Sequence, residues 1–143
     1  MSWSGRKLLV NFVTNADSRG RGNVMRSRRS EQGFQPPTDI YQTSDAIVVR
    51  VEIAGMSAEE INLSLDENSG RLTISGVRED PAGEEPRRYV NVEIECGEFV
   101  RTVQLPRPVE PESVEAAYDR GFLVVRLPLR AQSEGQSRNV PIT

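Results

Sequence analysis

The chain has 143 residues, of which 36% are hydrophobic and 27% are charged, and its formal net charge at pH 7 is -3. This length supports one domain with flanking arms and excludes a second core. There is no histidine and only one cysteine, Cys96, which excludes an internal disulfide, histidine-based triads and most metal sites. A reducing compartment is the simplest assumption, and we expect a cytoplasmic protein.

The N-terminal arm, residues 1–36, is basic, whereas the rest of the chain is acidic. The arm holds seven basic and two acidic groups, about +5, which leaves about -8 for the remainder. Such an arm could bind phosphates, but it lacks a dense basic run. We therefore favour an arm, disordered or partly helical, that lies across acidic neighbours in an assembly, and expect no nucleic-acid partner.

The first part of this arm is apolar. Leu8, Leu9, Phe12 and Val13 would share one side of a possible helix. The longest apolar runs fall far short of the ~20 residues that a membrane-spanning helix needs. We therefore expect no membrane partner.

Two prolines, Pro36 and Pro37, end the arm because proline cannot continue a helix. From there, short runs alternate between apolar and polar residues and are separated by turn residues. Residues 47–53 and 61–65 each place apolar side chains on one face of a strand. This spacing predicts an all-β fold, an immunoglobulin-like antiparallel β-sandwich, over residues 37–129.

Turn chemistry divides this body in the same way. The sequence Glu67-Asn68-Ser69-Gly70 predicts a hairpin, with Gly70 available for positive φ. A charged, proline-bounded connection covers residues 77–88. The other predicted elements are a helical turn at 57–61, strands at 72–75 and 99–105, an alternating run at 89–95, and strands at 113–118 and 122–127 around a turn at 119–121.

The C-terminal tail, residues 130–143, is polar except at its tip. Residues 130–139 have the composition of a solvated, flexible linker. The tip carries Val140, Pro141 and Ile142, and proline favours an extended segment whose flanking side chains point to the same side. Such a tip cannot bury itself, so we expect it to dock in pockets of another surface.

Several segments occur in the order seen in small heat-shock proteins, the α-crystallin family, of bacterial or archaeal type. The combination is specific although each piece alone is weak, and the resemblance covers about residues 37–129 plus the tail. The segments are Pro-Thr-Asp-Ile-Tyr at 37–41, Val-Glu-Ile-Ala-Gly-Met at 51–56, Phe-Val-Arg at 99–101 with Leu105-Pro106, Ala-x-x-x-x-Gly-x-Leu at 116–123, and Val-Pro-Ile at 140–142.

The resemblance implies a groove at the sandwich edge that receives the tail motif. Its lining would come from the strands near 61–66 and 113–118, where small Ala116 leaves room for a guest side chain. The candidates are Ile61, Leu63, Leu65, Val114, Ala116 and Tyr118. The same positions also suit ordinary core packing, because groove and core would share one face.

The resemblance also implies a dimer. In bacterial and plant relatives the segment equivalent to residues 88–93 crosses to pair with the partner's first sandwich strand, near 39–43. The candidate interface residues are Tyr41, Tyr89, Val90, Val92, Glu93 and Arg101. Arg101 could meet a carboxylate across the interface, or it could be solvated or locally paired.

The implied function is that of an ATP-independent holdase, which binds partly unfolded proteins as a dynamic homo-oligomer of dimers and leaves refolding to ATP-dependent chaperones. The apolar arm residues would be sequestered in the oligomer and released to clients as it loosens, or they would simply pack inside it. The candidate client-binding residues are Trp3, Leu8, Leu9, Phe12 and Val13.

Two alternatives remain open. A co-chaperone of the p23 type shares the sandwich but lacks the tethered tail motif, and a non-chaperone binding module would use the basic arm. Catalysis has little support because no Gly-rich phosphate loop is present and Cys96 lacks an obvious activating base. We expect no enzyme activity, no catalytic or metal residues and no cofactor.

Overall fold

The computed structural model describes residues 6–7, 10–13, 33–131 and 142. Within these residues the chain forms nine strands and two short 3₁₀ helices, Ala58–Glu60 and Pro111–Ser113. The strands are β1 Arg6–Lys7, β2 Val10–Val13, β3 Thr38–Gln42, β4 Ala46–Glu52, β5 Ile61–Asp66, β6 Arg71–Arg78, β7 Gly97–Gln104, β8 Glu115–Asp119 and β9 Phe122–Pro128. No helix in this part of the chain has the length and apolar character needed to cross a membrane.

The strands form two sheets packed face to face. One sheet has the order β1-β8-β9-β4-β3 and the other has the order β2-β5-β6-β7. Neighbouring strands are antiparallel except β2 and β5, which run parallel. The all-β sandwich predicted from the alternating pattern is confirmed.

The core lies between the sheets and follows the alternation in the sequence. On β5 the apolar residues Ile61, Leu63 and Leu65 are buried, while Asn62 between them is exposed. Two residues on the opposite face are buried as well, Val48 on β4 and Ala117 on β8. Alternation therefore sets which face each strand presents to the core.

The two tight turns form where the turn residues predict them. Gly70 has φ +66° and donates its N–H to the carbonyl of Asp66 at 2.9 Å. Ser69 and Asn68 also hydrogen-bond to the Asp66 carboxylate, and these bonds lower the pKa of Asp66. In the second turn Gly121 has φ +84°, which glycine adopts without steric cost.

The possible helix in the arm is not formed over residues 10–13. These residues form strand β2, while Trp3, Leu8 and Leu9 lie outside the described residues. The sequence Val-Asn-Phe-Val favours a strand over a helix through its β-branched and aromatic side chains. The edge of β5 also offers backbone groups that a strand satisfies and a helix cannot.

Three other boundaries differ from the sequence prediction. Strand β6 continues to Arg78, and the segment at 111–113 is a 3₁₀ helix, so β8 begins only at Glu115. Residues 89–95 alternate in sequence but form no strand in this chain. An alternating pattern gives a strand only where a neighbouring sheet edge is available to pair with it.

Candidate functional site

The residues predicted to line the tail groove lie at one edge of the sandwich. Ile61, Leu63 and Leu65 belong to β5, which lies next to the edge strand β2. Ala116 belongs to β8, which lies next to the edge strand β1 of the other sheet. These four are at most 5% exposed, and Val114 and Tyr118 pack partly buried against the same core cluster. The structure therefore brings the predicted residues together, and their role in tail docking stays a prediction. We call the strip between β5 and β8 the edge groove.

The Tyr118 hydroxyl connects β8 by hydrogen bonds to the segment that follows β4. It donates to the carbonyl of Ile53 at 2.7 Å and accepts from the N–H of Met56 at 3.2 Å. Both backbone groups come from a segment more than 60 residues away in sequence. Sequence reasoning missed this contact, since no local pattern indicates which backbone groups a distant tyrosine will meet.

Two described strands of the N-terminal arm lie along the two sides of the edge groove. Strand β1 pairs with β8, with Arg6 opposite Tyr118 and Lys7 opposite Ala117. Strand β2 pairs with β5, with Val10 opposite Leu63 and Phe12 opposite Leu65. These two short strands of the arm thus form the outermost strand of each sheet on this side. The sequence did not predict this pairing.

The tail leaves the sandwich close to one end of the same groove. The N–H of Arg130 donates to the carbonyl of Pro108 at 3.0 Å, and its guanidinium meets Glu110 at 3.3 Å. Arg130 lines a small cleft together with Leu65 and Asp66, at the C-terminal end of β5. Ile142 of the tail motif is fully exposed, whereas Val140 and Pro141 lie outside the described residues.

The opposite edge of the five-stranded sheet is β3, which pairs only with β4 among the described strands. Ile40 and the predicted interface residue Tyr41 are 48% and 44% exposed. The Asp39 carboxylate forms an ion pair with Arg50 at 2.6 Å, which raises the pKa of that guanidinium. This exposed edge combines unpaired backbone groups with apolar side chains.

Arg101, a predicted interface residue on β7, is engaged within its own chain. Its Nη1 donates to the side-chain oxygen of Gln35 at 2.8 Å. The neighbouring Phe34 packs on Phe99 with ring centres 5.4 Å apart, and the Arg78 guanidinium lies 4.7 Å from the centre of the Phe34 ring. Residues 33–35 therefore cover part of β7, and this local partner for Arg101 was one of the outcomes that the sequence left open.

The remaining predicted interface residues lie on the loop between β6 and β7, which we call the exposed loop, residues 79–96. Its apolar side chains face solvent: Val90 is fully exposed, and Tyr89, Val92 and Ile94 are 57%, 64% and 77% exposed. Glu93 is also exposed and accepts a hydrogen bond from the side chain of Asn91 at 2.8 Å. Adjacent exposed apolar residues are typical of an interaction site.

The first half of the exposed loop is folded on itself around Asp80. The N–H of Ala82 donates to its carboxylate at 2.9 Å, the Tyr89 hydroxyl donates at 3.0 Å, and Arg87 lies at 3.2 Å. The backbone bond from Ala82, the bond from Tyr89 and the charge of Arg87 lower the pKa of Asp80. Arg87 also donates to the carbonyls of Ala82, Gly83 and Glu85. The loop therefore presents Tyr89 from an ordered turn.

The described residues contain no cluster of three or more His, Cys, Asp or Glu side chains that could hold a metal ion. Cys96 is a free thiol and is exposed at the end of the exposed loop. The chemistry available at both edges is strand addition and apolar contact.

These features define a class of protein, and comparison with known families places the chain in it. Residues 39–143 match the model of the Hsp20/alpha crystallin family. The chain therefore belongs to this family, the small heat shock proteins, which are chaperones of the stress response. The resemblance first indicated by the sequence motifs is confirmed.

Individual relatives support the same assignment. The chain is 28% identical over 116 residues to small heat shock protein C2 of Rickettsia felis, covering 81% of this chain and 73% of that protein. It is 32% identical to heat shock protein 16 of Schizosaccharomyces pombe, covering 71% of each. The structure of heat shock protein 16.0 from Schizosaccharomyces pombe superposes with a TM-score of 0.61 at 29% identity, covering 77% of this chain and 76% of that one.

Proposed function

We propose that this chain is an ATP-independent holdase that binds partly unfolded proteins and suppresses their aggregation. It works as a dynamic homo-oligomer built from dimers in the cytoplasm, and refolding is left to ATP-dependent chaperones. The observation that carries this proposal is the exposed loop, where Tyr89, Val90, Val92 and Ile94 present apolar surface on a chain of the small heat shock family. In an isolated chain this apolar surface is in contact with water, and a partner chain would cover it.

The dimer forms by strand addition at β3. Residues 88–93 of one chain pair with the exposed edge of β3 in its partner, which satisfies backbone groups that would otherwise template aggregation. Val90 and Val92 then lose water contact, and Tyr41 supplies apolar surface on the receiving strand. Arg101 keeps its partner Gln35 and contributes only at the rim.

Dimers assemble further through the tail. Val140 and Ile142 dock in the edge groove of another chain, and burying each side chain would contribute about 1.5 to 3 kcal/mol. Ordering the linker, residues 131–139, costs about 1 to 2 kcal/mol per residue fixed, so a single tail binds weakly. Many tails acting together raise the effective concentration, which gives an oligomer whose subunits exchange.

The N-terminal arm, residues 1–36, holds clients. Its candidate residues are Trp3, Leu8, Leu9, Phe12 and Val13, which offer apolar surface to partly unfolded chains. The sandwich, residues 37–129, supplies assembly, and the tail, residues 130–143, supplies the link between dimers.

Deletion of the first 14 residues tests the holdase proposal. We expect the shortened chain to lose most of its suppression of the heat-induced aggregation of a model client, measured by light scattering at equal subunit concentrations. A matched control removes the same number of residues from the polar part of the arm, 18–31, and should keep suppression. Full suppression by the chain that lacks residues 1–14 would move client binding to the sandwich.

A further inference from the structure

The arm and the tail motif are directed at the same strip of the sandwich. Strands β1 and β2 of the arm pair with β8 and β5 in the structure, and the tail is proposed to dock between β5 and β8. We propose that the arm and the tail are alternative occupants of the edge groove, so that a tail entering the groove releases the arm. This inference rests on the proposed tail docking and adds to it a direct competition with the arm.

The register makes the two occupants overlap on both strands of the groove. Strand β2 is hydrogen-bonded along β5 from Leu63 to Asp66, and β1 is hydrogen-bonded to Ala117 and Tyr118 of β8. Each of β5 and β8 has one strand inside its sheet as its other neighbour, so each has a single outer row of backbone groups. A second extended segment cannot pair with the stretches that the arm fills, which are residues 63–66 of β5 and residues 117–118 of β8.

The tail has the length needed to reach this site. It leaves the sandwich at Arg130, beside the Asp66 end of β5. The linker residues 131–139 span up to about 30 Å when extended, whereas the six residues of β5 cover about 20 Å. The linker is therefore longer than the groove strand beside which it begins.

Neither occupant holds the groove strongly, which is the condition for exchange. The arm pairs through one strand of two residues and one of four, and the tail motif has three residues. A site with two weak occupants responds to small differences in their free energies. The coupling is reciprocal, because the arm weakens tail binding by the same factor by which the tail weakens arm binding.

This exchange reverses the expectation that a loosening oligomer releases the arm. A tail that docks displaces β1 and β2 and makes the arm available to clients. When a docked tail dissociates from the groove, the arm of that chain covers the vacated edge again. The arm then protects the edges of β5 and β8 from pairing with other chains. Client binding is then greatest in the assembled form.

A reversible disulfide between arm and groove tests the competition. Asn11 and Ser64 are register partners on β2 and β5, so cysteines at these positions lie within disulfide distance. The full-length background carries Cys96→Ser, so that no other thiol reacts, and Val140→Ser with Ile142→Ser, so that its own tails do not compete. The probe is a fluorescein-labelled peptide of residues 134–143, and its affinity is measured by fluorescence anisotropy.

We expect the oxidised Asn11→Cys/Ser64→Cys chain to bind the peptide at least about tenfold more weakly than the same chain reduced with dithiothreitol. The pair Asn11→Cys/Asn62→Cys, two residues out of register on the same side of β5, should cross-link poorly and show no such change. In the same background without added cysteines, Asn11→Pro removes a backbone donor from β2 and should tighten peptide binding, whereas Asp17→Pro, four residues past that strand, should not.

The outcomes separate the two proposals. Equal peptide affinity for the oxidised and reduced chains, with the disulfide verified by mass spectrometry, would overturn the competition and leave tail docking intact. Failure of the cysteines to form a disulfide would also overturn it, because the arm would not lie on β5. If the peptide bound no form of the chain, including Asn11→Pro, tail docking itself would be wrong and the competition would fall with it.

Discussion

The two sides of the sandwich differ in how they treat their outermost strands. At the edge groove the chain covers β5 and β8 with its own N-terminal segment. On the opposite side β3 is the last described strand of its sheet, and the exposed loop presents apolar residues with no described contact that buries them. The covered side is suited to exchange between the arm and the tail. The exposed side is suited to a stable interface with a partner chain.

The two sides also differ in the free energy that a new contact gains. Val90 and Val92 together offer apolar area that only a partner can bury, so a contact there gains without displacing anything. At the edge groove the net free energy of tail binding is only the difference between the binding free energies of the tail and of the arm that it displaces. We therefore expect the dimer to be the durable unit and the tail contacts to be the dynamic ones.

The largest expected effect comes from charging the exposed loop. Val90→Asp with Val92→Asp should abolish the dimer and reduce the native mass to that of single chains, because two carboxylates cannot be buried against β3 without partners. The folded chain should keep its stability, since both positions are exposed. Native mass spectrometry reads the assembly and circular dichroism reads the fold.

A matched control uses Phe122→Asp, which charges a large apolar residue, 43% exposed, on β9 rather than on the loop. Loss of the dimer in this control as well would mean that general surface charge, and not the loop, decides association. A dimer that survives both loop substitutions would place the interface elsewhere.

A smaller effect is expected from Tyr118→Phe at the groove side. Loss of the hydroxyl leaves the Ile53 carbonyl and the Met56 N–H without this partner, which should lower the free energy of unfolding by about 1 to 3 kcal/mol. Tyr41→Phe removes an exposed hydroxyl on β3 and should change it by less than about 0.5 kcal/mol. Equal losses for the two variants, in urea unfolding monitored by fluorescence, would contradict the role assigned to Tyr118.

The smallest effect concerns the turn that presents Tyr89. The pKa of Asp80 is lowered, first by the hydrogen bond from the Ala82 N–H and then by that from the Tyr89 hydroxyl. Its ionised carboxylate therefore stabilises the turn at pH values above its ordinary pKa of 3.8. This contribution is lost as the pH falls through the lower pKa of the folded chain. A carbon-detected NMR titration should give a midpoint below 3.8 for Asp80, and Tyr89→Phe should move it upward. A midpoint at or above 3.8 in the unsubstituted chain would contradict the hydrogen bonds described here.

The sequence was a good guide where the pattern is local. The alternation at Ile47, Val49 and Val51 predicted the buried face of β4, and the turn at 67–70 predicted the β5–β6 hairpin. Such features depend on residues that are neighbours along the chain, and a period of two is visible without any knowledge of the partner strand. The groove candidates on β5 and β8 followed from the same pattern together with the family resemblance.

Pairing over long separations could not be predicted in the same way. The match of Arg6 with Tyr118, and the bond from Arg101 to Gln35, each depend on which distant segments meet after folding. The spacing of Leu8, Leu9, Phe12 and Val13 suggested a possible helix, whereas residues 10–13 pair as a strand with the edge of β5. The helical spacing of the apolar residues does not reveal that the edge of β5 offers backbone partners to residues 10–13.

The central claim is that weak tail contacts join dimers into larger assemblies. Native mass spectrometry of the intact chain beside a Val140→Ala/Ile142→Ala variant tests it most directly, with Ser133→Ala/Gln136→Ala in the polar linker as the control. We predict a large oligomer for the intact chain and the control, and dimers for the motif variant. An unchanged oligomer mass in the motif variant would contradict the claim.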